Sequence, residues 1–190
     1  MVTKQSGTVA LGTAAPDFSL PDPAGKLHAL QDFAGARALV VAFICNHCPY
    51  VKHMVDGLVQ FARDYSAQGV AVVAISANDA SRYPEDSPAH MAQLAARKGF
   101  GFPYLYDASQ SAAKAYEAVC TPDLYLFDQS RRLVYRGQFD GSRPGNKLPV
   151  TGADLRAAAD AVLAGRDIKR QIASVGCSIK WKAGQEPAWA

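Results

Sequence analysis

The chain has 190 residues, 49% of them in the AVILMFWYC set and 19% charged, which suits one globular domain with its own core and excludes a largely disordered polypeptide. Twenty Lys and Arg against 17 Asp and Glu leave a formal charge of +3, a scattered surplus unlike the clustered basic face of a nucleic-acid binder. No apolar run approaches the roughly 18 residues of a membrane span, and Met1–Ala10 lacks the apolar run of a secretory signal, so a cytoplasmic protein with no nucleic-acid or membrane partner is expected.

Met1–Gly12 is polar and small and is expected to fray. Phe18–Leu20 and Leu27–Leu30 alternate around Pro21–Gly25, which predicts a β-hairpin. Ala38–Ile44 is an unbroken apolar run with the length and β-branching of a strand buried on both faces. From Val51 the period changes: Met54, Leu58, Phe61, Ala62 and Tyr65 recur at helical spacing, and Gly69 ends the helix. Val70–Ser76 predicts a second buried strand, completing a right-handed βαβ unit.

Asn78–Pro88 is a polar loop, Ser87-Pro88 caps a helix running to Lys98, and Gly99 stops it. A short strand at Tyr104–Tyr106, a short helix at Ser109–Tyr116 and two strands at Leu124–Phe127 and Leu133–Arg136 follow. Thr151 and Asp154 form a capping signature for a last helix burying Leu155, Ala158, Ala159, Val162 and Leu163. The prediction is a single α/β domain over 1–190, with a core of about 14–165 and a basic, solvated tail at 166–190. Its central mixed sheet carries helices on both faces.

The chemistry concentrates in Cys45-Asn46-His47-Cys48, at the junction of the first buried strand and the first long helix. Free N–H groups and the dipole at a helix start stabilise a thiolate, and such thiols fall to about 3.5–7.5 from about 8.5. Helical residues three apart lie about 5–6 Å from each other, which suits a disulfide. A loop this short adds little as a structural crosslink. His47 is expected to favour the Cys45 thiolate and so to raise the reduction potential. Metal binding by these cysteines with His47, His53 or Cys120 is the alternative, although no second ligand pair stands at similar spacing. No G-x-G-x-x-G or Walker motif implies an organic cofactor, and no resident metal is expected.

These residues resemble the thioredoxin-like superfamily, in its redoxin branch of thiol–disulfide proteins and peroxiredoxins (the alkyl hydroperoxide reductase/thiol-specific antioxidant group). Three segments carry the likeness: Ala15–Leu20, Phe43–Val51 (FICNHCPYV) and Thr121–Asp128 (TPDLYLFD). The tail Gly176–Trp181 looks like that of a little-characterised bacterial subgroup. The resemblance implies a thioredoxin-like fold and a thiol–disulfide oxidoreductase working through a redox-active disulfide. In it Cys45 attacks, Cys48 resolves, and Asn46 and His47 tune the pair. It also implies that Pro122 is cis and faces Cys45, with the Thr121 backbone pairing with an extended substrate. Substrates would be protein or small-molecule disulfides or thiols, served by an electron donor.

Departures from the relatives are specific. Thioredoxin has Trp at the position of Ile44 and a buried Asp at that of Leu39. Peroxiredoxins carry Pro-x-x-x-Thr-x-x-Cys, with the peroxidatic Cys where Cys48 stands, but here Val41 and Cys45 replace the Pro and Thr. Pro122 stands near where they place an Arg. A peroxiredoxin-like peroxidase is therefore the second reading. Cys120 and Cys177 are possible accessory thiols, and Arg131-Arg132 is read as a solvated face.

Overall fold

A computed structural model describes residues 3–168 and 170–189. In chain order the elements begin with β1 (Thr3–Gln5), β2 (Ser19–Pro21), β3 (Leu27–Ala29), β4 (Ala38–Phe43), α1 (Pro49–Ser66), β5 (Val70–Ser76), α2 (Pro88–Lys98) and β6 (Tyr104–Tyr106). They continue with α3 (Ser111–Ala115), β7 (Cys120–Thr121), β8 (Asp123–Asp128), β9 (Leu133–Gly137), α4 (Ala153–Leu163) and β10 (Val175–Ser178).

The central sheet has the order β6-β5-β4-β8-β9. β4 runs parallel to β5 and antiparallel to β8. Its six residues are all buried because alternate side chains leave opposite faces and both faces are covered. Ala38, Val40 and Ala42 join a core with Leu58 and Phe61 of α1, Met91 of α2 and Leu155 of α4. Leu39, Val41 and Phe43 join a second core with Phe18, Leu20, Ala112, Tyr116 and Trp181. The expected mixed sheet, with helices on both faces and an N-terminal hairpin, is the observed one. Gly99, at φ +64°, closes α2 in the left-handed region as a stop residue should.

Four expectations are corrected. The opening segment does not fray from Thr3 onward: β1 pairs antiparallel with β10, Thr3 opposite Cys177. The tail is not a solvated appendage, since β10 lies between β1 and β7, and Cys177, Ile179 and Trp181 are buried. Thr151 and Asp154 form no capping box. Gly152 is the N-cap residue, the Asp140 carboxylate accepts the Thr151 and Gly152 N–H groups, and Asp154 accepts from Gln138 instead. Arg131 is no solvated residue either, because its guanidinium donates to the Phe33 and Ala36 carbonyls. All four depend on partners distant in sequence, which local periodicity does not report.

Just after β7, the buried Asp123 carboxylate meets Arg136 of β9 at 2.9 Å, and that guanidinium lies 4.7 Å from the Tyr125 ring centre. Burial raises the Asp123 pKa and Arg136 opposes the shift. This pair holds the start of β8 against β9, beside the Thr121–Pro122 peptide.

Candidate functional site

Because β4 and β5 are parallel, with Phe43 opposite Ile75, their C-terminal ends release two loops side by side. One loop carries Cys45–Cys48 into α1. The other runs from Ala77 to Ser87 and carries Asp86. Asp86 is fully buried, and its carboxylate accepts the N–H groups of Asn46 (2.7 Å) and His47 (3.1 Å) and the side-chain amide of Asn78 (2.7 Å). Its second oxygen lies 2.5 Å from His47 Nδ1. The Asn46 side chain donates to the Glu85 carbonyl and accepts from the Tyr104 hydroxyl, while the His47 ring stacks on Tyr83. The two residues between the cysteines are thus bolted to the second loop.

The third wall is the Thr121–Pro122 peptide, which is cis, as the resemblance implied. Cys45 Sγ lies 3.3 Å from Thr121 Oγ1, and the Cys48 thiol can donate to the Thr121 carbonyl at 3.1 Å. On its far side Cys48 Sγ is 3.0 Å from Cys177 Sγ. Cys45, Cys48, Thr121 and Cys177 therefore meet at one point, drawn from a loop, a helix start and two strands. Cys120 is buried next to them, its sulfur 3.5 Å from the Pro122 carbonyl.

The surroundings of the two sulfurs favour ionisation of Cys48 over that of Cys45, the opposite direction to the one expected. The helix begins at Pro49, so Cys48 is its N-cap residue and Cys45 lies outside the first turn. A hydrogen bond from Cys45, with further help from Cys177, the Val51 N–H and Thr121, outweighs burial and brings Cys48 down to about 5. Burial, the Cys48 sulfur and the Asp86 carboxylate push Cys45 well above the ordinary thiol range, against the Thr121 hydroxyl. Burial likewise drives Cys120 far up. The His47 ring is engaged by Asp86 rather than held for the Cys45 sulfur.

The Thr121 edge is not open to an incoming strand. β10 pairs with β7 there, Cys177 opposite Thr121 and Ser178 opposite Cys120. Of the metal sets expected, Cys45 and Cys48 with His47, His53 or Cys120, the one with His53 does not assemble, because His53 turns away to Ser142. Cys45, His47 and Asp86 do bring ligand atoms within 4.8 Å of one another, but the donors already on Asp86 occupy its carboxylate.

Sequence reasoning did not single out Asp86, Asn78, Tyr83 or Tyr104. One signal was available: loops after adjacent parallel strands share an edge, and sites of open α/β sheets form there. An acidic residue in the 78–88 loop thus faces the C-x-x-C. Cys120→Ala is expected to cost about 1 kcal/mol, as the loss of one buried heavy atom, and to leave disulfide exchange within a few-fold. Thermal melts and exchange assays of the variant check both numbers.

Residues 11–136 match the model of the AhpC/TSA family. The chain is 26% identical over 125 residues to a thiol-disulfide oxidoreductase ResA of Geobacillus thermodenitrificans, covering 66% of this chain and 67% of that one. The crystal structure of a hypothetical protein from Sinorhizobium meliloti superposes with a TM-score of 0.93 at 56% identity, covering 95% of this chain and 99% of the other. A thiol:disulfide interchange protein of the thioredoxin family from Chlorobium tepidum superposes with a TM-score of 0.63 at 19% identity, over 82% of this chain and 99% of that one. At that identity the likeness is one of fold, and the fold is thioredoxin-like. No helix among the described residues is long and apolar enough to cross a membrane.

Proposed function

Because this chain belongs to the AhpC/TSA family, we propose that it is a thiol–disulfide oxidoreductase whose working group is the Cys45/Cys48 dithiol. The observation that carries the reading is the junction itself: both sulfurs lie against Thr121 at the cis peptide, 3.3 Å and 3.1 Å from its oxygens. The likeness to a protein named for thiol–disulfide exchange supports it.

The step needs no group beyond the dithiol. Cys48 thiolate attacks one sulfur of a substrate disulfide, forming a mixed disulfide and expelling a thiolate that takes up a proton. Cys45 then loses its proton, attacks the Cys48 sulfur, and releases the second substrate thiol. The substrate is reduced by two electrons and the enzyme pair oxidised by two. An external thiol donor resets it. We assign the attacking role to Cys48 rather than Cys45 because Cys45, Cys177 and the Val51 N–H set donors round its sulfur and favour its thiolate, whereas burial, the Cys48 sulfur and Asp86 oppose that of Cys45. Asn46 and His47 position the loop, and Thr121 and Pro122 form the surface against which the sulfurs exchange.

One observation favours a second reading, a thiol peroxidase: the acidic sulfur is Cys48, at the position of a peroxidatic cysteine. Against it, Val41 and Cys45 stand where peroxide-binding Pro and Thr would be, and the nearby Arg136 is held by Asp123. With a dithiol as donor the protein is expected to reduce insulin disulfides measurably and hydrogen peroxide only slowly. Fast peroxide turnover that survives Cys45→Ser but not Cys48→Ser would move the protein to the second reading.

A further inference from the structure

The proposed reaction uses two of the three sulfurs that meet at Thr121. Strand β10 is what brings the third. It lies on the edge of β7, with Cys177 directly opposite Thr121, and β1 closes its outer side. The approach is tight: a Cβ on Gly176 would stand 2.0 Å from the Thr121 carbonyl oxygen, so only glycine lets the strand sit this close. Cys177 is buried, and its sulfur is 3.0 Å from that of Cys48. This is the edge that an extended disulfide substrate would occupy, and the chain's own tail lies there with a cysteine aimed at Cys48.

We propose that Cys177 is a third redox thiol, carried on an internal substrate-like strand, and that it exchanges with the Cys45–Cys48 disulfide to give a Cys48–Cys177 disulfide. The inference rests on the reading of Cys48 as a redox thiol. In the step, the Cys177 sulfur gives up its proton and attacks Cys48. The Cys45–Cys48 bond breaks, the Cys48–Cys177 bond forms, and Cys45 leaves with the electron pair and takes a proton. Total oxidation is unchanged, so no further oxidant enters. The sulfurs need to close by only about 1 Å to reach the bond length of about 2.05 Å.

Proton affinities agree with this order. While Cys48 is a thiolate, burial, its hydrogen bond and its charge hold Cys177 up at about 12, and Lys180 acts the other way. Once Cys48 is in a disulfide its charge is gone and burial alone opposes ionisation of Cys177. Cys177 is therefore silent in the reduced protein and becomes competent on oxidation of the pair. The oxidising equivalent moves from the C-x-x-C to the tail strand, and Cys45 is returned as a thiol.

The test uses full-length wild type, Cys45→Ser and Cys177→Ser. Each is oxidised with glutathione disulfide, quenched in acid, blocked with an alkylating reagent and mapped by mass spectrometry of non-reduced tryptic peptides. Cys45→Ser is expected to lose two thiols per chain and yield an intrachain Cys48–Cys177 peptide, and wild type to yield both this peptide and Cys45–Cys48. Glutathione on Cys48 of Cys45→Ser, with Cys177 still alkylated, would overturn the proposal. Cys177→Ser tests the parent reading separately, because it must still form Cys45–Cys48. If it does not, the dithiol mechanism fails, while the Cys45→Ser result still decides whether Cys177 reacts.

Discussion

Replacing Cys48 by Ser is expected to reduce disulfide exchange to the uncatalysed rate, and in the wild type Cys48 is expected to be the first cysteine alkylated at mildly acidic pH. The magnitude follows from two opposing terms. At pH 6 a thiol brought down to about 5 is about nine-tenths ionised, whereas one at the ordinary value of about 8.5 is about 0.3% ionised, a ratio of about 300. Nucleophilicity falls with pKa at a slope of about 0.4–0.5, which returns a factor of about 25–55. The net preference for Cys48 is then about five- to tenfold, and it widens because burial and the Asp86 charge hold Cys45 above the ordinary range. The measurement is the rate of carboxamidomethylation at each cysteine between pH 4 and pH 8, by peptide mapping. Cys48 labelling should titrate with a midpoint near pH 5. Faster labelling of Cys45 would return the attacking role to it.

The second large effect belongs to Asp86. Its carboxylate accepts from two backbone N–H groups, an imidazole and a buried amide. Truncation to Ala strands these donors, and a buried unsatisfied donor costs about 1–3 kcal/mol. Asn46 and His47 are half-buried and recover part of this from water. Asp86→Ala is therefore expected to lower the unfolding free energy by about 3–5 kcal/mol, and to slow exchange through the displaced 45–48 loop. Denaturant melts and the insulin assay measure the two effects, and a loss under about 1 kcal/mol would show that the bolt is dispensable.

The same carboxylate sets a pH dependence. Burial raises its pKa, but the hydrogen bonds and charge of His47, with Asn78 and Asn46, outweigh it and leave Asp86 below its ordinary value. A depressed folded-state pKa stabilises the fold above the unfolded value of about 3.9 and is lost as pH falls through the folded one. The stability gap between wild type and Asp86→Asn should thus be full at neutral pH and shrink below about pH 4.

Much of this protein was readable from short-range pattern. The apolar run at Ala38–Phe43, the helical spacing across α1 and the run at Val70–Ser76 each state their own burial, because side-chain direction repeats every two residues in a strand and every 3.6 in a helix. Two such strands around a helix put Cys45 and Cys48 at a strand–helix junction before any coordinates are known. The TPD segment marked the cis peptide through its family likeness.

What only the tertiary structure decided is which groups surround those sulfurs. The Cys45, Cys177 and Val51 N–H donors gathered round Cys48 favour its thiolate, and burial, the Cys48 sulfur and the Asp86 charge disfavour that of Cys45. Asp86, 38 positions beyond Cys48 in the chain, is brought to the site by the parallel pairing of β4 and β5. Cys177, separated from Cys48 by 129 residues, arrives on a strand of four residues, too short to announce itself by alternation. Strand pairing is set by hydrogen bonds and shape between segments far apart in the chain, and a thiol's acidity by the charges and donors that such pairing gathers round it. Neither quantity has a period along the sequence.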